Sequence, residues 1–402
     1  MRTVLQHAWA EIEHKLRYKL PSGEHQSEEL KADDKRQWAM MAALLESVDD
    51  RFVERKLFLT KHQVQSIIVP EDILGTRRST PPDYAYERKG ERYWYFIEHR
   101  ASERPIEIQP KYEFFDLDRR VQQAGGLSNY KNSMWMELKK REPAFIQNLA
   151  SYDSTSARVC EWDCRAGNLV VQPVQYTDSV VTNHCKVADL EIPGLPGKTP
   201  RTLSEMESGR LKTFSESPLA NAIGVACVIR TLDNRWVIGR RGEKLAFDPG
   251  TWACPASGAL EWGERGEWGH WDFDGWIKAS MALECEQELG LCVPRRSIIY
   301  LAFARELSRL GKPQFFFFVD MLDGAPGLPT RDLEAAWRIY AVDYEVTELM
   351  FLEEHNAEIL AGPDVKDRTK LLRGGRISEE LRMNLALALD YVAEGRHPVS
   401  SA

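Results

Sequence analysis

The chain has 402 residues, of which 43% are hydrophobic and 28% charged, and a formal net charge of −8. This length predicts two or three domains with a substantial core, and the acidic balance argues against wholesale binding of nucleic acid or a membrane surface. No run approaches the roughly eighteen apolar residues of a membrane helix, and the N-terminus lacks the apolar stretch of a signal peptide. Seven cysteines, an odd count, are typical of free thiols in a reducing cytoplasm, which is where we expect the protein.

Residues 1–75 are predicted to be helical. Apolar residues of the segment 4–20 fall on one stripe that ends at Pro21, and a second such stripe runs from Trp38 to Phe52. Two amphipathic helices do not make a stable core alone, so this segment must pack on something else. The turn-rich stretch Gly75–Arg92 then indicates a boundary.

Residues 76–200 form a middle region of unassigned role. "RYWYFIEH" and "IEIQPKYEFFDL" are typical of strands or buried segments, and "YKNSMWMELKKREPAFIQNLA" is typical of a helix. Cys160, Cys164, His184 and Cys185 could supply four zinc ligands, but their spacing matches no standard pattern and unpaired thiols are the favoured interpretation. The stretch Ile192–Pro200 indicates another loop or boundary.

Residues 201–402 are predicted to be a third domain of mixed structure. "AIGVACVIRT" and "RWVIGRR" predict two strands, a helix follows, "IIYLAFAREL" and "QFFFFVDML" predict two more strands, and "ISEELRMNLALALDYVAE" predicts a closing helix. This order predicts an α/β (α+β) fold, specifically a sandwich of helices and sheet.

The helix in the third domain carries the stretch "SMALECEQELGL". Glu284 and Glu288 are four residues apart and therefore share one helix face. Like charges at this spacing repel unless a cation lies between them. A solvated acidic face and a metal-binding face are both open interpretations of these residues alone.

The loop before this helix favours the metal-binding interpretation. Gly258 stands six residues before Glu264 in "GALEWGE", and with Glu284, Glu288 and the closing "GL" this arrangement resembles the signature of the Nudix hydrolases, G-x5-E-x7-R-E-U-x-E-E-x-G-U. The resemblance covers roughly Ser217 to the C-terminus. It implies a Nudix-type α/β/α sandwich and hydrolysis of a pyrophosphate linkage in a nucleoside diphosphate derivative.

The chain departs from the signature at three positions and in one spacing. Leu283 stands where the family has arginine, Cys285 fills the aliphatic position, and Gln287 replaces one glutamate of the pair. The segment between Glu264 and Leu283 is much longer than the x7 spacer of the signature. This Trp-rich insertion is either a substrate-facing loop or a surface excursion whose tryptophans pack on the domain, and we favour the second.

The resemblance also implies roles for individual residues. Glu288 would be the central ligand of Mg²⁺, or of Mn²⁺, together with the backbone carbonyl near Gly258. Glu284 would bind metal and orient or deprotonate the water, and Glu264 would assist. Gln287 keeps an acceptor oxygen near the metal but loses a charge.

Residues outside the signature complete the predicted site. Arg240 and Arg241, at a strand end, are candidates for contacting substrate phosphates, with a solvent-exposed strand end as the open alternative. Glu345 and Glu348 are candidates for a further metal ligand. The expected partner is a small nucleotide, without nucleic acid or membrane, and a homodimer is the assembly we consider.

The N-terminal segment carries a second resemblance. "RTVLQHAWAEIEHKLRYK" and "MAALLESVDDRFVERKL" resemble the end of the synthetase domain of RelA/SpoT-type enzymes, which make (p)ppGpp. That domain's ATP-binding and metal-binding segments would precede Met1. Either the chain is the tail of a longer synthetase–Nudix fusion, or the helices are a remnant in which His7 and His14 serve packing and capping.

These two resemblances leave rival functions open. The favoured one is a Mg²⁺-dependent Nudix hydrolase linked to guanosine tetraphosphate metabolism. In the alternative, the altered positions Leu283 and Gln287 produce a module that binds nucleotide without turning it over.

Overall fold

The computed structural model describes residues 85–101, 104–123, 129–141, 154–183, 212–243, 245, 248–263, 271–323, 327–341 and 345–395, without the side chains of 137–141. The chain divides into two units, Met1–Gln63 and Val64–Ala402, and every described residue belongs to the second. The helices predicted within residues 1–75, with His7 and His14, lie outside the described residues, as do His184, Cys185 and Glu264.

The described residues contain strands of two to nine residues. They are β1 (Glu87–Arg88), β2 (Glu91–Arg92), β3 (Tyr95–Arg100), β4 (Glu107–Pro110), β5 (Thr155–Asp163), β6 (Asn168–Gln175), β7 (Gly224–Arg230), β8 (Trp236–Arg241), β9 (Trp252–Ala253), β10 (Ala256–Ala259), β11 (Ile298–Glu306), β12 (Lys312–Asp320) and β13 (Val346–Leu352). The four strands predicted in the third domain are β7, β8, β11 and β12, which confirms those predictions.

The described residues also contain α-helices of five to fifteen residues. They are α1 (Leu117–Gln123), α2 (Tyr130–Arg141), α3 (Tyr176–Val180), α4 (Lys278–Leu289), α5 (Thr330–Tyr340), α6 (Glu354–Ala361), α7 (Val365–Leu371) and α8 (Glu379–Ala393). A π-helical turn, Phe273–Ile277, leads directly into α4. The helices predicted around the acidic stretch and near the C-terminus are α4 and α8.

The main sheet has the order β13-β8-β7-β12-β11-β3, with β9 added to β8 and β10 added to β7. Its pairs are antiparallel except for β12 and β7, which run parallel. Strand β3 belongs to the predicted middle region, yet it pairs with β11 and closes one edge. A separate sheet, β4-β6-β5, contributes Val159, Leu169 and other residues to the same core.

Two apolar layers fill the space on either side of the main sheet. Phe315 and Phe317 face α4, whereas Phe316 and Phe318 face α8, because successive side chains of a strand alternate between faces. Helices on both faces therefore explain the uninterrupted "FFFF" run, in which all four rings are fully buried. The fold is α+β, a sheet between helical layers, which confirms the predicted fold class.

Two further sequence predictions concern membranes and cysteines. Within the described ranges, no helix is long and apolar enough to cross a bilayer. Six of the seven cysteines are described, and all six are free thiols. Cys160 is buried with its thiol 3.0 Å from the Gln172 Oε1 atom, while Cys164 is exposed. These two thiols follow the favoured interpretation, and the other two candidate zinc ligands, His184 and Cys185, are not among the described residues.

Candidate active site

Helix α4 is fixed by its inner face and by the turn that ends it. Its core-facing apolar residues are Met281, Cys285 and Leu289. Gly290 follows with φ +65°, and a Cβ atom there would lie 2.6 Å from the Cβ atom of Tyr340. Only glycine meets both the left-handed backbone and this close approach. The turn therefore sets where the helix stops and which way its acidic face points.

Gly258 and Glu284, two residues of the predicted signature, lie directly against each other. A Cβ atom built on Gly258, in β10, would lie 2.0 Å from the Glu284 Oε1 atom and 2.4 Å from its Cδ atom. Any other residue at this position would push the carboxylate away. The sequence spacing of glycine and glutamate thus corresponds to a real juxtaposition of strand and helix.

The second carboxylate is held by the same strand. The backbone N–H of Ser257 donates a hydrogen bond of 2.9 Å to the Glu288 Oε2 atom, and Glu288 is only 2% exposed. Burial, with the negative charges of Glu345 and Glu284, raises the pKa of Glu288 well above its usual range, although Arg241 and the Ser257 N–H oppose this. Glu288 therefore lies within reach of the negative charges of two further carboxylates.

One of the two predicted arginines reaches this group. Arg241 ends β8 with its Nη2 atom 3.4 Å from the Glu345 Oε2 atom. Burial alone would lower the pKa of Arg241, but the charges of Glu345 and Glu288 outweigh it and raise the pKa. Arg241 is thus the cation that partly compensates the carboxylates.

The other arginine points elsewhere. Arg240 lies 3.1 Å from the Glu243 Oε1 atom and 3.5 Å from Glu348, and these side chains are 41%, 70% and 54% exposed, respectively. Adjacent residues of a strand face opposite sides, which separates Arg240 from Arg241. The structure thus separates the two metal-ligand candidates as well: Glu345 lies with Glu288, whereas Glu348 pairs with an exposed arginine.

The remaining predicted positions lie at the margin of the carboxylate face, away from it, or outside the described residues. Gln287 is about 100° around the helix from Glu288 but only about 60° from Glu284, so it borders the carboxylate face. Leu283 borders an open cavity of about 590 Å³ on the outer side of α4, together with Glu286, Cys292 and Arg295. Glu264 lies outside the described residues, so its predicted role stays a prediction.

The described end of the insertion packs as a tryptophan cluster. Trp276 is 1% exposed, and its ring centroid lies 4.6 Å from that of Trp271, which is also 4.6 Å from that of Trp262. The Trp276 Nε1 atom donates to the Glu261 carbonyl oxygen at 3.2 Å. This part of the insertion follows the packed interpretation.

The carboxylates suit a divalent cation chemically, without forming a ready-made cage. In the described ranges, no group of three or more His, Cys, Asp or Glu side chains is arranged to hold a metal ion. Carboxylate oxygens are nevertheless the ligands that Mg²⁺ prefers, and a cation beside Glu288 would offset its repulsion from Glu284 and Glu345. A bound ion would need side-chain rotation or further ligands.

The sequence alone did not single out Ser257, whose N–H orients Glu288, or a second set of buried polar residues that includes Tyr95, Glu306, Lys312 and Gln314. The available signal was an amide, Gln314, at the start of the predicted apolar strand "QFFFFVDML"; the structure begins this strand two residues earlier, at Lys312. Charged or amide side chains in a strand buried on both faces need a partner or a function.

Comparisons with known proteins find similarity among solved structures only. No protein-family model and no curated protein match it. Solved structures that resemble it include a NUDIX hydrolase from Nitrosomonas europaea, at 15% identity and a TM-score of 0.28, covering 45% of this chain and 95% of that one. A MutT protein from Methanosarcina mazei is 16% identical with a TM-score of 0.26, and the match covers 43% of this chain and 95% of that one. A protein from Deinococcus radiodurans is 12% identical with a TM-score of 0.26, and the match covers 41% of this chain and 80% of that one. Likenesses this weak carry no argument about activity.

Proposed function

We propose that this chain is a Nudix-type hydrolase that cleaves a pyrophosphate linkage in a nucleoside diphosphate derivative. The observation that carries the proposal is the fit of Gly258 against the Glu284 carboxylate, next to the hydrogen bond from the Ser257 N–H to Glu288. A purely solvated acidic face would have no need of a glycine at the point of contact. It would also leave Glu288 exposed rather than buried.

The residues divide the chemistry between them. Glu288, Glu284 and Glu345 would hold Mg²⁺ or Mn²⁺, which would neutralise phosphoryl oxygens as water approaches. Glu284, placed against the strand, would accept a hydrogen bond from the attacking water and orient it. Arg241 would compensate negative charge beside Glu288 and Glu345 as the substrate's phosphates arrive.

Turnover of a nucleotide panel tests the proposal. The panel holds ADP-ribose, NAD, dinucleoside polyphosphates, nucleoside triphosphates and ppGpp, each with Mg²⁺ and with Mn²⁺. We expect Glu288→Gln to abolish release of phosphate or nucleoside monophosphate, because it removes a buried negative ligand. The matched control is Glu286→Gln, on the outer side of the same helix, which should retain at least half of the activity.

The results also separate the finer alternatives. Preference for ppGpp would support the alarmone link, which rests on residues outside the described ranges. Binding of nucleotide without turnover of any panel member would favour the sensing module, to which the neutral Gln287 also points. Equal activity in Glu288→Gln and wild type would refute the proposed site.

A further inference from the structure

The loop between β8 and β9 is closed next to the candidate active site. The backbone N–H of Arg241, the last residue of β8, donates to the Thr251 carbonyl oxygen at 2.8 Å, and the Gly250 N–H donates to the Arg241 carbonyl oxygen at 3.1 Å. Thr251 is only 4% exposed. The backbone that carries the Arg241 side chain is therefore held by the far end of this loop.

The loop turns at a residue in an unfavourable backbone conformation. Asp248 has a φ of +48°, in the left-handed region, and it precedes Pro249, whose ring crowds the residue before it. The Asp248 carbonyl oxygen accepts hydrogen bonds from the Thr251 N–H, at 3.3 Å, and from the Thr251 hydroxyl. A residue other than glycine stays in such a conformation only where its surroundings hold it there.

An arginine from the connection between β11 and β12 holds Asp248. The Arg309 Nη2 atom lies 2.7 Å from the Asp248 Oδ2 atom, and these side chains are 22% and 38% exposed, so water screens the pair only in part. The Arg309 Nε atom lies 3.3 Å from the Oε1 atom of the buried Glu306. Burial alone would lower the pKa of Arg309, but the charges of Glu306 and Asp248 outweigh it and raise the pKa. Arg309 is thus anchored to the sheet on one side and to the loop on the other.

The contacts from Arg309 to the candidate active site are continuous. The Arg309 guanidinium holds the Asp248 carboxylate, and the Asp248 carbonyl oxygen holds Thr251. Thr251 in turn holds the backbone of Arg241, whose side chain lies 3.4 Å from Glu345. Asp248 also acts on Arg241 directly, because its charge is among those that raise the pKa of Arg241. A change at Arg309 therefore reaches Arg241 both through the backbone and through charge.

We propose that Arg309 is a positioning residue for the pyrophosphate cleavage, an inference that rests on the proposed function. By fixing Asp248, it keeps the loop folded back on β8 and the Arg241 guanidinium directed to the place where the substrate's phosphates bind. It affects binding of the phosphates rather than attack by water, because Glu284 and Glu288 are held by β10 and not by this loop.

Steady-state kinetics of the full-length protein test this assignment, with Mg²⁺ and the nucleotide of the panel that wild type prefers. Arg309→Met and Asp248→Asn remove the ion pair from opposite sides, and asparagine keeps the tolerance of aspartate for a left-handed backbone. We expect each variant to raise KM at least fivefold and to leave kcat within twofold. The double variant should resemble either single one, because both changes break the same contact.

The matched control is Arg338→Met, which breaks an exposed ion pair within α5, between Arg338 and Glu334. It should leave both kinetic constants unchanged. Unchanged KM in Arg309→Met and Asp248→Asn, or increases that multiply in the double variant, would overturn the assignment. An equal fall of kcat with no change of KM would also overturn it, because the defect would then lie at the attacking water.

Hydrogen exchange of the backbone amides separates this inference from the proposed function. We expect the amides of Gly250 and Thr251 to exchange at least tenfold faster in Arg309→Met and in Asp248→Asn than in wild type, whether or not a nucleotide is turned over. Faster exchange, in a protein whose wild type hydrolyses no member of the panel, would refute the hydrolase while supporting the anchoring of the loop. Unchanged exchange with normal turnover would refute the anchoring alone.

Discussion

Replacing Lys312 with methionine should stabilise the protein at pH 7. Lys312 is 6% exposed, and burial, followed by the positive charge of Arg309, lowers its pKa to about 8, against the opposing charges of Glu380 and Glu306. Tyr95, which pairs with Glu306 on the far side of β11 from Lys312, stays neutral at these pH values, because burial raises the pKa of its hydroxyl well above the usual range. The change removes a charge that the folded state accommodates poorly.

The expected gain follows from that pKa. A fall from 10.5 to about 8 corresponds to roughly 3 kcal/mol of lost stability at pH 7. Methionine also removes the hydrogen bond to the Gln314 Oε1 atom, and leaving that atom alone costs about 1–3 kcal/mol. We therefore expect a net gain of up to about 2 kcal/mol in the free energy of unfolding.

The pH dependence supplies a sharper test than the magnitude. The penalty in wild type is fully present below pH 8 and fades as the pH rises towards 10.5, because the unfolded lysine then also loses its proton. Urea unfolding followed by tryptophan fluorescence should thus show an advantage of Lys312→Met that shrinks between about pH 7 and pH 9.5. A variant less stable than wild type at pH 7, or an advantage independent of pH, would refute the reasoning.

Two further substitutions test the site and the core. Gly258→Ala should lower turnover at least tenfold with little change in melting temperature, because the added Cβ atom displaces the Glu284 carboxylate. The control variant Gly327→Ala should match wild type, because its added Cβ atom would meet Leu232 at an ordinary 3.4 Å. Equal rates of the two variants in steady-state assays would contradict the contact between Gly258 and Glu284. Asp320→Asn should lower the free energy of unfolding, measured in urea, by about 3–5 kcal/mol, because it leaves the buried Arg230 without a countercharge. A loss below about 1 kcal/mol would mean that water screens the pair.

The sequence was most informative where a pattern repeats locally. The apolar runs of β7, β11 and β12 and the helical spacing of α4 and α8 predict those elements, because burial on one or two faces dictates composition over a few residues. The four-residue spacing of Glu284 and Glu288 likewise predicts a shared face.

The contacts between residues that are distant in the chain depend on which strands become neighbours, and the sequence did not predict this. Strand β12 lies parallel to β7 although β8 to β11 and helix α4 all come between them in the chain, and only this register brings Gly224 to Lys312 and Gln314. Nothing local to any of these three residues indicates the contact. The same holds for Glu345, which precedes β13 and reaches Glu288 because β13 pairs with β8. Glu348, three residues further on, is directed to Arg240 instead.

The edge strand β3 has a consequence for how the protein can be divided. It covers the outer edge of β11, although β3 ends at Arg100 and β11 begins only at Ile298. A fragment that began at residue 201 would lack β3 and present the unpaired N–H and C=O groups of a nine-residue strand that is largely buried in the intact protein. Bare edges of this kind recruit other strands, so the expected property of such a fragment is poor solubility through edge-to-edge association.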